Sequence, residues 1–158
     1  MLMGAWEKRA PEIAYLYNPA FCGKILHCAI KGYQNKKTSM PYPLIFFVLP
    51  LIFKPQIFED IAYTRKSFSS WFQNKPELLN DFAERIIDFK QITKEGLLFL
   101  SKLGLVKIIN GELLIIETSN KTSESELKKY FEKSEKIGNF LALCGDTYNV
   151  FITMGVNI

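Results

Sequence analysis

Residues 93–117 read TKEGLLFLSKLGLVKIINGELLIIE. Thr93 stands where a helix cap belongs, and the apolar spacing after it predicts a helix over 94–103. Gly104 follows at the position that tolerates positive φ, so the helix should end there. Two apolar, β-branched runs come next, 105–109 and 112–117, separated by Asn110-Gly111, the strongest two-residue hairpin signal. Upstream, Asn74 and Glu77 have capping-box spacing. Residues 76–89 then place Leu78, Leu79, Phe82, Ala83, Ile86 and Ile87 on one helix face, with Asp81, Glu84, Arg85 and Asp88 on the other. Helix, helix, then hairpin is the order of a winged helix-turn-helix, in which 94–103 takes the recognition position and the hairpin is the wing.

Outward toward the N-terminus, Asn18-Pro19 pairs an N-cap residue with Pro at the first helical position. The helix should run to Tyr33, with Phe21, Cys22, Ile25, Leu26, Ala29, Ile30 and Tyr33 as its apolar stripe and Lys24, His27 and Lys31 opposite. Residues 12–16 suggest a helical turn ahead of it. Residues 34–42 read as a loop. Residues 38–53 form the longest uncharged run and carry three prolines, which is short and interrupted for a membrane span. Residues 44–53 are apolar on every side and predict a helix buried all round, kinked or stopped near Leu49 by Pro50; a central strand and a re-entrant membrane segment are the competing readings. Short helices are expected over 55–62 and 65–73. Outward toward the C-terminus, 118–125 is polar and loop-like, 125–143 is an amphipathic helix, and the segment after Asp146 is a last helix or a strand over 148–154.

The expected fold class is therefore mainly α with a small β-hairpin: a winged helix-turn-helix core (63–117) between an N-terminal helical part (18–62) and a C-terminal helical extension (118–158), in one domain. The composition agrees. Apolar residues make up 48% of the 158 and aromatics 14%, with 13 Phe, enough to bury a core and to exclude wholesale disorder. Net charge is +4, and only Arg9, Arg65 and Arg85 among the 20 basic residues are arginines, which is few for a protein devoted to phosphate or base contacts. Residues 1–5 are apolar but short, and Glu7-Lys8-Arg9 follows at once, the reverse of a secretory signal. The cytoplasm is the expected compartment.

Chemistry-bearing constellations are sparse. Three cysteines without paired spacing do not make a disulfide framework. His27 is the sole histidine, so no two-histidine metal site can form. Cys22 and Cys28, six apart on one helix, do not share a face. A small hydrolase using Cys22 or Cys144 with His27 would need a geometry that nothing in the sequence suggests. Glu59-Asp60 and the trio Asp81, Glu84 and Asp88 read as solvated faces. No phosphate-binding, HExxH or GxSxG motif occurs. The expectation is no catalytic residue, no metal and no cofactor. The helix over 94–103 offers few polar groups, with Gly96, Leu97, Leu98, Phe99 and Leu100 at its centre, so protein contact is favoured over DNA contact. Contact residues, to protein or to nucleic acid, would be Lys94, Lys102, Lys107 and Asn110. Trp6, Tyr15, Tyr17, Tyr42, Phe46, Phe47, Trp71 and Phe72 are either an exposed aromatic interface or part of a Phe-rich core.

Five stretches carry a family resemblance: NPAFCGKILHCAIKGY (18–33), MPYPLIFFVLPLIF (40–53), WFQNKPELLNDFAERI (71–86), TKEGLLFLSKLGLV (93–106) and IGNFLALCGDTYNVFITMGV (137–156). Together they resemble the middle component of bacterial three-component ABC ATPase systems, over about 15–156. The order NPAF, PLxFxVLPL, FAER is the most specific part. The resemblance implies a non-enzymatic adaptor with a winged-helix core, encoded between an ABC-type ATPase and a variable effector and coupling the two in a bacterial conflict or anti-phage system. Its expected partners are those two proteins, with nucleic acid as a weak partner, a second copy of the chain as another candidate, and no membrane. The alternative function is a winged-helix DNA-binding regulator.

Overall fold

A computed structural model describes residues 18–61, 77, 80–116, 125–143 and 147. Helix α1, Pro19–Gln34, starts as expected: the Asn18 side chain accepts the Phe21 amide at 2.8 Å and Pro19 occupies the first turn. It is covered by the two other long helices, α4 (Phe82–Lys102) and α5 (Ser125–Leu143). Burial therefore extends well beyond the expected stripe. His27, predicted on the polar side, is 1% exposed, because a helix between two others keeps little solvent face. Lys31 stays exposed, and Lys24 lies with its ammonium 4.7 Å from the centre of the Phe131 ring.

Glycine makes this three-helix junction tight. A Cβ on Gly32 would run into the Glu135 backbone carbonyl, and one on Gly138 into that of Ala29. The α1 and α5 backbones thus meet through one glycine on each helix, Gly32 against Glu135 and Gly138 against Ala29. Gly23 and Gly96 do the same for α1 and α4, with the Gly96 carbonyl 3.0 Å from where a Gly23 Cβ would sit. Ser134 adds a cross-helix bond, its hydroxyl donating to the Ile25 carbonyl at 2.6 Å.

The segment after α1 departs from expectation. Met40–Pro41, predicted as loop, forms a short strand, β1, because its extended backbone reaches the hairpin. Tyr42–Phe47 is a 3₁₀ turn run, and Val48–Ile52 is helix α2. Pro50 does not stop that helix at Leu49: it sits in the first turn, where a missing N–H costs no helical bond. The run is buried as predicted, with Leu44, Ile45, Phe47, Leu49, Leu51 and Ile52 in the core. Helix α3, Pro55–Ile61, matches the expected short helix.

The largest correction concerns the two helices expected over 76–89 and 94–103. They are one, α4, 21 residues long. Nothing between 89 and 94 breaks a helix, and Thr93 is no cap: its hydroxyl donates to the Phe89 carbonyl one turn back, at 2.8 Å, the bond that lets threonine sit inside a helix. Gly96, the one residue that weakens the helix, is retained where Gly23 packs against it. The start also moves from Pro76 to Phe82, after a turn in which the Asn80 amide meets the Glu77 carbonyl. Asp81, at the cap position, points its carboxylate to Lys54 at 2.7 Å instead.

The hairpin follows expectation. Strands β2 (Val106–Ile109) and β3 (Glu112–Ile115) pair antiparallel across Asn110-Gly111, both with positive φ, and β1 joins on the far side to give the order β1-β3-β2. The chain is thus mainly helical with a small three-stranded antiparallel sheet. The expected turn at 12–16, the helix over 65–73 and the strand over 148–154 lie outside the described residues, as do Asn74, Cys144, Trp6, Tyr15, Tyr17, Trp71 and Phe72; of the expected C-terminal helix only Thr147 is described, and it is helical.

Candidate docking surface

The C-terminal half of α4 feeds directly into the hairpin. Gly104 adopts φ +72° at the helix end, its amide bonding the Ser101 carbonyl while the Leu105 amide reaches back to Leu100. This paired closure satisfies two end carbonyls and turns the chain sharply into β2. Leu105 and Ile116 extend the ladder by one bond. On its other side β3 is held down: the Tyr42 amide donates to the Gly111 carbonyl and the Ile115 amide to the Gln34 side chain, both at 2.8 Å. The sheet's inner face buries Val106, Leu113 and Met40.

What remains outward is apolar. Leu98, Leu103, Ile108, Ile109 and Ile116 are exposed, Leu103 by 58% and Ile108 by 53%. Their sequence neighbours, Gly96, Leu97 and Leu100, are buried, so the apolar centre of the helix at the recognition position turns into the core rather than toward a groove of DNA. The basic groups around the patch are few. Lys94 and Lys102 are exposed on α4, eight residues or about 12 Å apart along its axis. Lys107 is exposed on β2. Asn110 is exposed with φ 53°, the conformation the two-residue turn requires. Arg85 is the one arginine among the described residues; it donates to the Pro50 carbonyl at 3.0 Å and lies over the Phe89 ring, away from this surface.

A concavity of about 340 Å³ opens between the 3₁₀ run and the first half of α4, lined by Tyr42, Pro43, Phe46, Phe47, Ile86, Ile87 and Lys90. Here Phe47 is a core residue at 1% exposure, while Tyr42 and Phe46 are half-buried and stack edge to face at 5.4 Å. The aromatic signal of the sequence therefore divides between core and surface. Ile87, the most exposed large apolar side chain described, was assigned to a buried face by helical spacing. It lines this open concavity instead of entering the core.

Elsewhere the titratable groups serve structure. Lys54 holds the Asp81 carboxyl below its ordinary range. Burial, joined by the Glu135 charge, pushes the Cys28 thiol up to about 11, which leaves it little thiolate and hence little nucleophilicity near neutral pH. Desolvation lowers Lys133, whose ammonium caps the Phe58 carbonyl at 2.8 Å. Cys22 and His27 are both buried in α1. Among the described residues no three of His, Cys, Asp and Glu gather as a metal site, and no helix is long and apolar enough to cross a membrane.

A family model described as ABC-three component (ABC-3C) system Middle Component 3 matches residues 6–158, so the chain belongs to that family. No curated protein and no solved structure matches the chain.

Proposed function

We propose that this middle component is a non-enzymatic, cytoplasmic adaptor that couples an ABC-type ATPase to an effector in a bacterial conflict or anti-phage system. Membership of a three-component family supports its working with other components of such a system. The observation that carries the reading is the exposure of five large apolar side chains, Leu98, Leu103, Ile108, Ile109 and Ile116, on the end of α4 and the hairpin that follows it. A monomer that folds for itself alone tends to cover such a cluster, and one kept open with lysines at its edge suits a protein interface. We further read the core as a divergent winged helix in a single unit. What supports this is the order of α1, β1, the helices α2 to α4 and then the hairpin, with β1 against β3 in the order β1-β3-β2. The hairpin is the wing, and α4 is the second helix of the motif, lengthened at its N-terminal end.

The same surface could meet nucleic acid through Lys94, Lys102 and Lys107, and the two readings separate in one experiment. The chain is co-expressed with an ABC-type ATPase and an effector of the same three-component system and run by size exclusion, as wild type, as Lys94→Ala/Lys102→Ala/Lys107→Ala, and as Leu103→Asp/Ile109→Asp. The adaptor reading expects a complex that survives the lysine changes and is lost with the aspartates. No complex for the wild type, together with DNA affinity that falls steeply with salt and disappears in the lysine variant, would replace it with the regulator reading.

A further inference from the structure

We propose that the free edge of β2 is a strand-addition site for an extended segment of a partner protein in which apolar and acidic residues alternate. The inference rests on the adaptor reading for the existence of a protein partner, and on the hairpin's own geometry for where and how that partner binds.

In the ladder Val106 faces Ile115, Lys107 faces Leu114, Ile108 faces Leu113 and Ile109 faces Glu112. The Ile116 amide bonds the Leu105 carbonyl. Alternation along an antiparallel ladder then turns the backbone groups of 105, 107 and 109 toward β3 and those of Val106 and Ile108 away from it. Among the described residues no strand lies beyond β2, so the N–H and C=O of Val106 and Ile108 line an open edge. The far side of β3 is taken by β1 and by the Gln34 side chain. An open edge of unpaired groups is a template for another strand. Folded proteins usually blunt such an edge with charge; here Lys107 is the one charged residue of β2, followed by the exposed Ile108 and Ile109, so the edge keeps its apolar character.

The side chains say what fits. An incoming strand meets Val106 and Ile108 on the inner face of the sheet, where an apolar residue would cover Ile108. On the outer face it meets Lys107, and residues 96–111 contain no acidic residue. Glu112 lies one strand further back and is half-buried. Apolar on one face and acidic on the other is the complement. A second copy fits less well. Pairing β2 with its own twin so that both 106 and 108 are satisfied sets Lys107 directly opposite Lys107, a repulsive pair. Centring the pair on Ile108 instead places Val106 opposite Asn110, which is already in the turn.

The test is an NMR titration of the ¹⁵N-labelled full chain with a synthetic peptide of roughly eight residues alternating Val and Glu, and with its Val and Lys counterpart. The expected result is saturable shifts and slowed exchange at the amides of Val106 and Ile108 with the acidic peptide, and at least roughly tenfold weaker binding of the basic one. Lys107→Glu should reverse that order. Ile108→Pro should abolish both, since it removes an N–H that faces outward and leaves the β2–β3 ladder intact; if that variant does not fold, the reversal by Lys107→Glu decides alone. Three results would each overturn the proposal: no response of these two amides at about 1 mM peptide, equal binding of both peptides, or peptide-independent dimerisation that protects β2. The titration needs neither ATPase nor effector, so its failure is distinct from failure of the adaptor reading, which is absence of the co-expressed complex.

Discussion

The glycine junction of the three long helices and the hairpin after α4 contrast sharply. At the junction of α1, α4 and α5, backbones meet through Gly23, Gly32, Gly96 and Gly138, and no room remains for a methyl group at Gly32 or Gly138. At the hairpin end, large aliphatic side chains stand in solvent although a small sheet is there to cover them. Both regions are apolar, so composition does not distinguish them. What differs is whether the chain supplies its own partner surface. The junction is self-complementary and therefore structural. The hairpin end is not, and that is the physical basis for assigning it to docking.

The contrast breaks first at the glycines. Gly32→Ala or Gly138→Ala should each cost about 3 kcal/mol, the upper end for overpacking, because the obstruction is backbone and cannot rotate away. A shift of the denaturant midpoint measures this, and a cost near zero would mean the two helices do not approach so closely. Next in size is the hairpin end. Leu103→Asp with Ile109→Asp should change stability by no more than about 0.5 kcal/mol while weakening partner binding at least roughly tenfold, or about 1.4 kcal/mol. A large loss of stability instead would place these residues in the core.

Smaller again is Thr93→Val. Within a continuous α4 the substitution removes one hydroxyl bond to Phe89 and should cost less than about 1 kcal/mol with unchanged helical circular dichroism. Loss of helical signal would restore the break between two helices. A pH slope, confined to alkaline solution, is the last test. The Cys28 thiol has its folded pKa raised from 9.0 to about 11, so the folded state holds a proton that the unfolded state releases first. Its contribution to stability is present below pH 9 and is lost as pH rises toward 11. Cys28→Ser should flatten that part of the curve relative to wild type; an identical slope in both would show the thiol is not the group responsible.

The hairpin, the Asn18-Pro19 start, α5 and the burial of 44–53 were legible in the sequence because each rests on a local signal: turn chemistry, a cap, a long periodicity, an uncharged run. The continuity of α4 was not, since threonine suits a cap and also suits a helix interior, where its hydroxyl bonds the carbonyl one turn back, here Phe89. Strand β1 was hidden because Met40 and Pro41 carry no strand pattern and become a strand only against β3. His27 was misplaced for a related reason: helical spacing reports one buried face, and α1 has two neighbours. As for the docking surface, its lysines and turn residue were visible, but the open edge of β2 depends on which strand β1 chose to pair.

The most direct measurement is hydrogen exchange by mass spectrometry on the chain alone and in its reconstituted assembly with the ATPase and effector. The account predicts added protection over residues 98–116 and unchanged, already slow exchange in the middle of α1. Protection gained along α1 and α5, with 98–116 exchanging as in the free chain, would contradict it.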